Sequence, residues 1–231
     1  MTNKIADFYD NFSESQVKTG TNLRHYHLVN VLKENGLTSS SSLFEIGCGI
    51  GTVTKLLAGK IGKGKLVATD ISPKTIEIAR KRLPENVELY VSDMQVLPCE
   101  GTFDFILLAD VLEHIPVEQH PVLFQNIRKL CHAKSKVIMN IPNPEFLDLM
   151  RNKHPEALQV IDQSLYANQL TPVFEQNGFW VDKMVSYSLF YTYPDYQLIV
   201  LKTTEHPLEI QFIPQYKIIL RKAWSRFKSW F

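Results

Sequence analysis

With 231 residues, 45% apolar and 21% charged, the chain is long enough for one globular domain with a sizeable core and a small appendage. A formal net charge of +1 gives the chain as a whole no case for nucleic-acid binding. Its three cysteines have neither metal-site nor redox-pair spacing, and their odd number argues against a disulfide framework.

The N-terminal stretch MTNKIADFYDNFSES is polar and lacks the apolar core of a signal peptide. No apolar run approaches the length of a membrane span, so a reducing cytoplasm is the expected compartment. Residues 4–16 predict a short helix with Ile5, Phe8, Tyr9 and Phe12 on one side. Residues 21–35 predict a longer amphipathic helix stopped by Gly36, and together residues 1–36 read as an N-terminal helical cap. A Ser-rich link over 38–42 then leads into the stretch LFEIGCGIGT, Leu43 to Thr52.

That stretch begins as a buried strand, turns at Gly47-Cys48-Gly49-Ile50-Gly51 and continues as a helix from Thr52. Glycines between a strand and a helix allow a sharp turn and a close ligand approach, beside the free N–H groups of a helix start. A nucleotide-like cofactor is the expectation. The spacing is G-x-G-x-G after an acid, Glu45, whereas the dinucleotide fingerprint G-x-G-x-x-G carries its last glycine one place later. A nicotinamide-dependent enzyme is therefore the weaker alternative.

Downstream, Lys65–Thr69 predicts a second strand ending at Asp70, and Ser72 followed by Pro73 predicts a capped helix. Val87–Val91 and Phe103–Ala109 predict the third and fourth strands, followed by Ser92-Asp93-Met94 and by Asp110-Val111-Leu112-Glu113-His114. A helix from Pro121 to about Cys131 and a fifth strand over Lys136–Ile141 complete an alternating pattern, which means a mostly parallel sheet covered on both faces. Residues 142–166, with three prolines, read as irregular, and a helix is expected over Asn168–Asn177. Trp180–Tyr187 and Tyr196–Lys202 follow with no helix between them and predict a closing antiparallel hairpin. The expected fold is α/β: a Rossmann-like, doubly wound, seven-stranded sheet over residues 37–204.

With EIGCGIG after strand one, Asp70 ending strand two, Asp93 after strand three and DVLEHI after strand four, residues 20–203 resemble the class I S-adenosylmethionine-dependent methyltransferases. The look of FDFILLADVLEHI is similar to bacterial small-molecule, quinone or sugar O-methyltransferases. The resemblance implies S-adenosylmethionine as cofactor, leaving as S-adenosylhomocysteine. It places Glu45 and the glycines Gly47, Gly49 and Gly51 at the cofactor's amino-acid end, and Asp70 at its ribose. Asp93 and Met94 would flank the adenine, with Ile71 lining its pocket and the carbonyl of Ala109 facing the cofactor. Arg24 and Tyr9 of the N-terminal helices are further cofactor candidates.

A methyl acceptor with a hydroxyl must lose a proton, and a neutral histidine just past strand four suits that task, which makes His114 the candidate base with Asp110 or Glu113 as orienter. Those three share one short loop, so no metal is expected. Tyr187, Tyr191 and Tyr193, in an aromatic cluster with Phe190 and Tyr196, are the candidates for binding a small-molecule or glycan acceptor at the same sheet edge. Transfer to nitrogen or carbon, and a non-catalytic cofactor-binding scaffold, are the alternatives.

The tail, 205–231, lies beyond that fold's usual end. Its part QYKIILRKAWSRFKSWF, 215–231, has five basic residues and no acid, and aromatics at helical spacing. A basic amphipathic helix of this kind suits peripheral contact with the inner membrane face, docking on the domain or dimerisation.

Overall fold

The computed structural model describes residues 20–158, 162–203 and 212–228. The helix expected over 4–16, with Tyr9 and Phe12, lies outside those residues.

Helix α1 (Leu23–Glu34) starts at Asn22, whose side chain accepts from the backbone N–H of Arg24 and His25, and it ends just before Gly36 at φ 104°. Strand β1 (Leu43–Ile46) is buried along its whole length. It is followed by α2 (Thr52–Ala58), β2 (Leu66–Asp70), α3 (Pro73–Arg82), β3 (Val87–Val91) and β4 (Phe103–Ala109). Ser72 caps α3 by accepting from the Thr75 N–H at 3.1 Å, with Pro73 at the first position, as expected.

Helix α4 runs His120–Lys129, and Cys131 already belongs to β5 (Cys131–Pro142). That strand starts five residues earlier than the sequence pattern suggests, because Ser135 Oγ donates to the Phe103 carbonyl and ties the polar CHAKS stretch to β4. Residues 142–166 are not irregular throughout. Asn143 caps and Pro144 opens a ten-residue helix, α5 (Pro144–Lys153). Proline is favoured at a helix's first position, so here it starts the element rather than breaking it. Then come α6 (Ala167–Gln176), β6 (Phe179–Tyr187), β7 (Tyr196–Thr203) and α7 (Gln215–Lys228).

The seven strands form one sheet in the order β3-β2-β1-β4-β5-β7-β6. Pairs among β1 to β5 are parallel, while β5 with β7 and β6 with β7 are antiparallel. Alternate residues of each central strand enter two cores. On one face Phe44, Ile106 and Met139 pack with Phe124 of α4 and Phe174 of α6. On the other, Leu43, Leu107 and Ile138 pack with Leu28 and Leu32 of α1 and with Val53 and Leu57 of α2. Burial on both faces explains the near-continuous apolar runs of these strands. Strand order reverses between β1 and β4, and the loops leaving their carboxyl ends face each other there, where open α/β sheets take ligands.

Candidate functional site

The loop after β1 is built on backbone that L side chains rarely adopt: Gly47, Gly49 and Gly51 lie at φ 73°, 53° and 78°. A Cβ on Gly47 would stand 2.3 Å from Val111 Cγ2, so this turn and the loop after β4 meet with no room for a side chain. Beneath the turn, Glu45 is sealed at 2% exposure and accepts from Thr54 Oγ1 at 2.7 Å. Burial, opposed by that bond and reinforced by the charge of Asp70, lifts its carboxyl to about 7.

Asp70 ends β2 and holds the turn in place. Its Oδ2 accepts from the Gly49 N–H at 2.8 Å, and its Oδ1 accepts from the Ser72 N–H and Thr75 Oγ1 at 2.9 and 3.0 Å. Burial raises its pKa against these bonds. A carboxylate oxygen can take more than one donor, so Oδ2 keeps acceptor capacity beside the Gly49 N–H. Ile71 beside it is half-buried. At the end of β3, Asp93 is exposed and accepts from the Gln95 N–H, whereas Met94 is buried in the core with Thr69 and Ile46 nearby. Among the described residues only Met94 and Asp110 are non-glycines at positive φ, 61° and 55°, and both follow sheet strands at this edge. Such conformations gather at functional sites.

Past β4, half-buried Ala109 pairs in register with Asn140, and Asp110 turns back toward α1. Arg24 Nη1 stands 3.0 Å from Asp110 Oδ2 and donates to the Tyr196 hydroxyl at 3.0 Å. Arg24 Nε, Asp110 Oδ1 and both carboxylate oxygens of Glu113 are buried without a hydrogen-bond partner among the described residues. Burial, then the neighbouring Asp110 charge, pushes Glu113 well above the ordinary carboxylate range. Burial also raises Asp110, and Arg24 pulls it back.

His114 sits between two acids: Nδ1 is 3.2 Å from Asp162 Oδ1, and Nε2 is 3.7 Å from Glu113 Oε1. Asp162 is the acid beside Nδ1 that the sequence did not reveal. The next residue fixes its position, since the Gln163 N–H and side-chain amide both donate to the Glu113 carbonyl and the amide also donates to that of Ile115. Ser164 Oγ and Tyr166 OH donate to Asp148 of α5 and fasten the other side of the segment.

The three candidate tyrosines separate. Tyr187 donates to Asn140 Oδ1 and packs on His27 and Tyr196, with ring centroids 4.5 and 6.1 Å away, so it belongs to the Arg24–Asp110 group. Tyr191 lies against Phe146 at 4.8 Å and Tyr193 donates to Glu145, both on α5. These two stand on the outer wall, about half exposed. Asn140 joins this group with no local signal, since it reads as one polar interruption of an apolar strand. Among the described residues, no group of three or more His, Cys, Asp or Glu is arranged to hold a metal ion.

A family model described as a methyltransferase domain matches residues 43–134. The malonyl-[acyl-carrier protein] O-methyltransferase of Priestia megaterium is 33% identical over 106 residues, 46% of this chain and 37% of that protein. The ribosomal protein L11 methyltransferase of Thermotoga petrophila is 27% identical over 122 residues, 52% of this chain and 44% of that protein. The chain thus spans less than half the length of these curated relatives. Among solved structures, the magnesium protoporphyrin IX methyltransferase from Synechocystis PCC 6803 with bound SAH has a TM-score of 0.66 at 15% identity, covering 87% of this chain and 99% of that one. A TehB-like SAM-dependent methyltransferase from Corynebacterium glutamicum has a TM-score of 0.63 at 16% identity, covering 87% of this chain and 98% of that one. At such identities the likeness establishes the fold.

Proposed function

We infer that this chain, in which residues 43–134 are a methyltransferase domain of the class I fold, is an S-adenosylmethionine-dependent methyltransferase that acts on a hydroxyl oxygen of a small molecule or glycan. The observation that carries the reading is the matched domain's glycine turn, held open by Asp70 at the point where strand order reverses.

The residues present fit that cofactor. The turn at Gly47, Gly49 and Gly51 holds left-handed backbone with no Cβ of its own, and Glu45 beneath it offers a carboxylate to an ammonium group, directly or through water. Asp70 Oδ2 has capacity for a ribose hydroxyl. Exposed Asp93 is free to accept from the adenine amino group, and Met94 stiffens the pocket floor from within the core. When bound, the cofactor supplies a methyl group on a sulfonium centre, so the protein needs only to align a nucleophile and take up its proton.

His114 is the group for the proton. With Nδ1 turned to Asp162, Nε2 is the nitrogen that takes the proton, in the arrangement by which a carboxylate fixes a histidine's tautomer. Glu113, whose carboxyl burial and the Asp110 charge push well above the ordinary range, stands 3.7 Å from Nε2. Arg24, bridging Asp110 and Tyr196, closes the site from the side of α1 and offers its Nε to an acceptor oxygen. Tyr187 supplies a ring wall.

The test is transfer of labelled methyl from S-adenosylmethionine to a panel of phenols, glycosides, amines and enolisable carbon acids, for the wild type and His114→Ala. The expected result is O-methylation that falls about 100-fold or more in the variant, with cofactor affinity unchanged. Transfer confined to nitrogen or carbon acceptors, or equal rates for the two proteins, overturns the assignment of His114 and of the acceptor atom.

A further inference from the structure

Helix α7 (Gln215–Lys228) is not used by the site described above. At 100° per residue, Tyr216, Ile219, Leu220, Trp224 and Phe227 fall on one arc of about 140°. All five are 59–64% exposed, and the Trp224 and Phe227 rings stack at 6.0 Å. Single exposed apolar residues are ordinary, but a contiguous aromatic and aliphatic face on one helix marks an interaction surface. The rest of the circumference carries Lys217, Arg221, Lys222 and Arg226, with Ile218 the one large apolar residue on that side. Residues 215–231 hold five positive charges and no acid, so the remainder of the chain is formally −4 (+1 less +5).

We propose that α7 is an interfacial helix that binds this protein, through its apolar arc and flanking cations, to a membrane surface of anionic lipid. Three features favour that occupant. Lys217, Arg221 and Lys222 are exposed cations in a segment with no acid, and an anionic leaflet supplies counter-charge continuously rather than at fixed points. A tryptophan at one border of the arc and a phenylalanine within it suit the boundary between headgroups and acyl chains. A second copy of the helix is a poor occupant, because packing two such helices brings like charges together with no acid at the flanking positions to pair them. Among the described residues no helix is long and apolar enough to cross a membrane, so the attachment is to the surface and reversible.

The test uses the full-length protein with phosphatidylcholine vesicles, pure or containing a third phosphatidylglycerol, and reads co-sedimentation and the tryptophan emission maximum. The expected result is binding to the anionic vesicles alone, with a blue shift, weakened by salt. Trp224→Ala with Phe227→Ala, and separately Arg221→Glu with Lys222→Glu, each lower the partition coefficient at least tenfold, while circular-dichroism melting stays as in the wild type. Lack of sedimentation with anionic vesicles, or binding unaffected by both double variants, overturns the proposal. So does a lipid-free dimer that either double variant dissolves. None of these readouts depends on methyl transfer.

Discussion

Replacing Glu45 by glutamine tests the buried carboxylate in two independent ways. The group lies under the glycine turn with Thr54 Oγ1 as its donor, and burial lifts it from 4.5 to about 7. That rise corresponds to about 3 kcal/mol of stability withheld at high pH. Below pH 4.5 the carboxyl is protonated whether the chain is folded or not, and it has no effect. From there to about pH 7 the folded chain holds the proton more tightly, so stability contributed by this group falls as pH rises. Above 7 the loss is complete. In Glu45→Gln that slope disappears, so urea unfolding followed from pH 4.5 to 8 gains about 3 kcal/mol relative to the wild type. A fixed cost of burying the amide shifts every point equally and leaves this difference intact. The variant also loses the charge proposed to meet the cofactor's ammonium, and calorimetry is expected to show ten- to a hundred-fold weaker S-adenosylmethionine binding. In the wild type the affinity drops as pH falls from 7 to 5.5 and the carboxylate takes up its proton; in the variant it is flat. Equal pH slopes of stability for the two proteins, or equal cofactor affinities, would refute the reasoning.

Asp70→Ala removes the acceptor of the Gly49 N–H together with the proposed ribose contact; cofactor binding weakens ten- to a hundred-fold by titration, and an unchanged affinity sinks the assignment. Gly47→Ala forces a Cβ to 2.3 Å from Val111 at φ 73°; chemical denaturation is expected to show a loss of about 2 kcal/mol or more, part of which Val111→Ala restores in the double variant. Asp162→Asn leaves cofactor affinity alone but lowers kcat and alters its pH profile, because the imidazole loses the carboxylate beside Nδ1; an unaltered profile removes Asp162 from the orienting role.

The elements legible in the sequence are those whose signals are local. The GCGIG turn needs left-handed backbone at three places, and only glycine meets that cheaply, so the turn announces itself. Ser72 and Pro73 announce a helix start in the same way, and two β-rich runs without a helix between them required the antiparallel closing pair. Helix α5 was hidden because its proline reads as a breaker unless Asn143 is recognised as the cap before it. The site was half legible. Glu45, Asp70 and His114 stand beside their own motifs. Asp162, Asn140 and the Tyr196 hydroxyl come to the candidate site from distant parts of the chain, and no local pattern records which acid faces His114 or that Arg24 bridges Asp110 and Tyr196. Tyr191 and Tyr193 have the right composition for an acceptor wall, yet their packing on α5 sets them outside the group around Tyr187.

The most direct test of the central claim is calorimetric titration of the full-length protein with S-adenosylmethionine, S-adenosylhomocysteine and, as control, NADH. The account predicts micromolar binding of the two sulfur compounds and none of NADH. Binding of NADH in their place, or of none of the three, would contradict it.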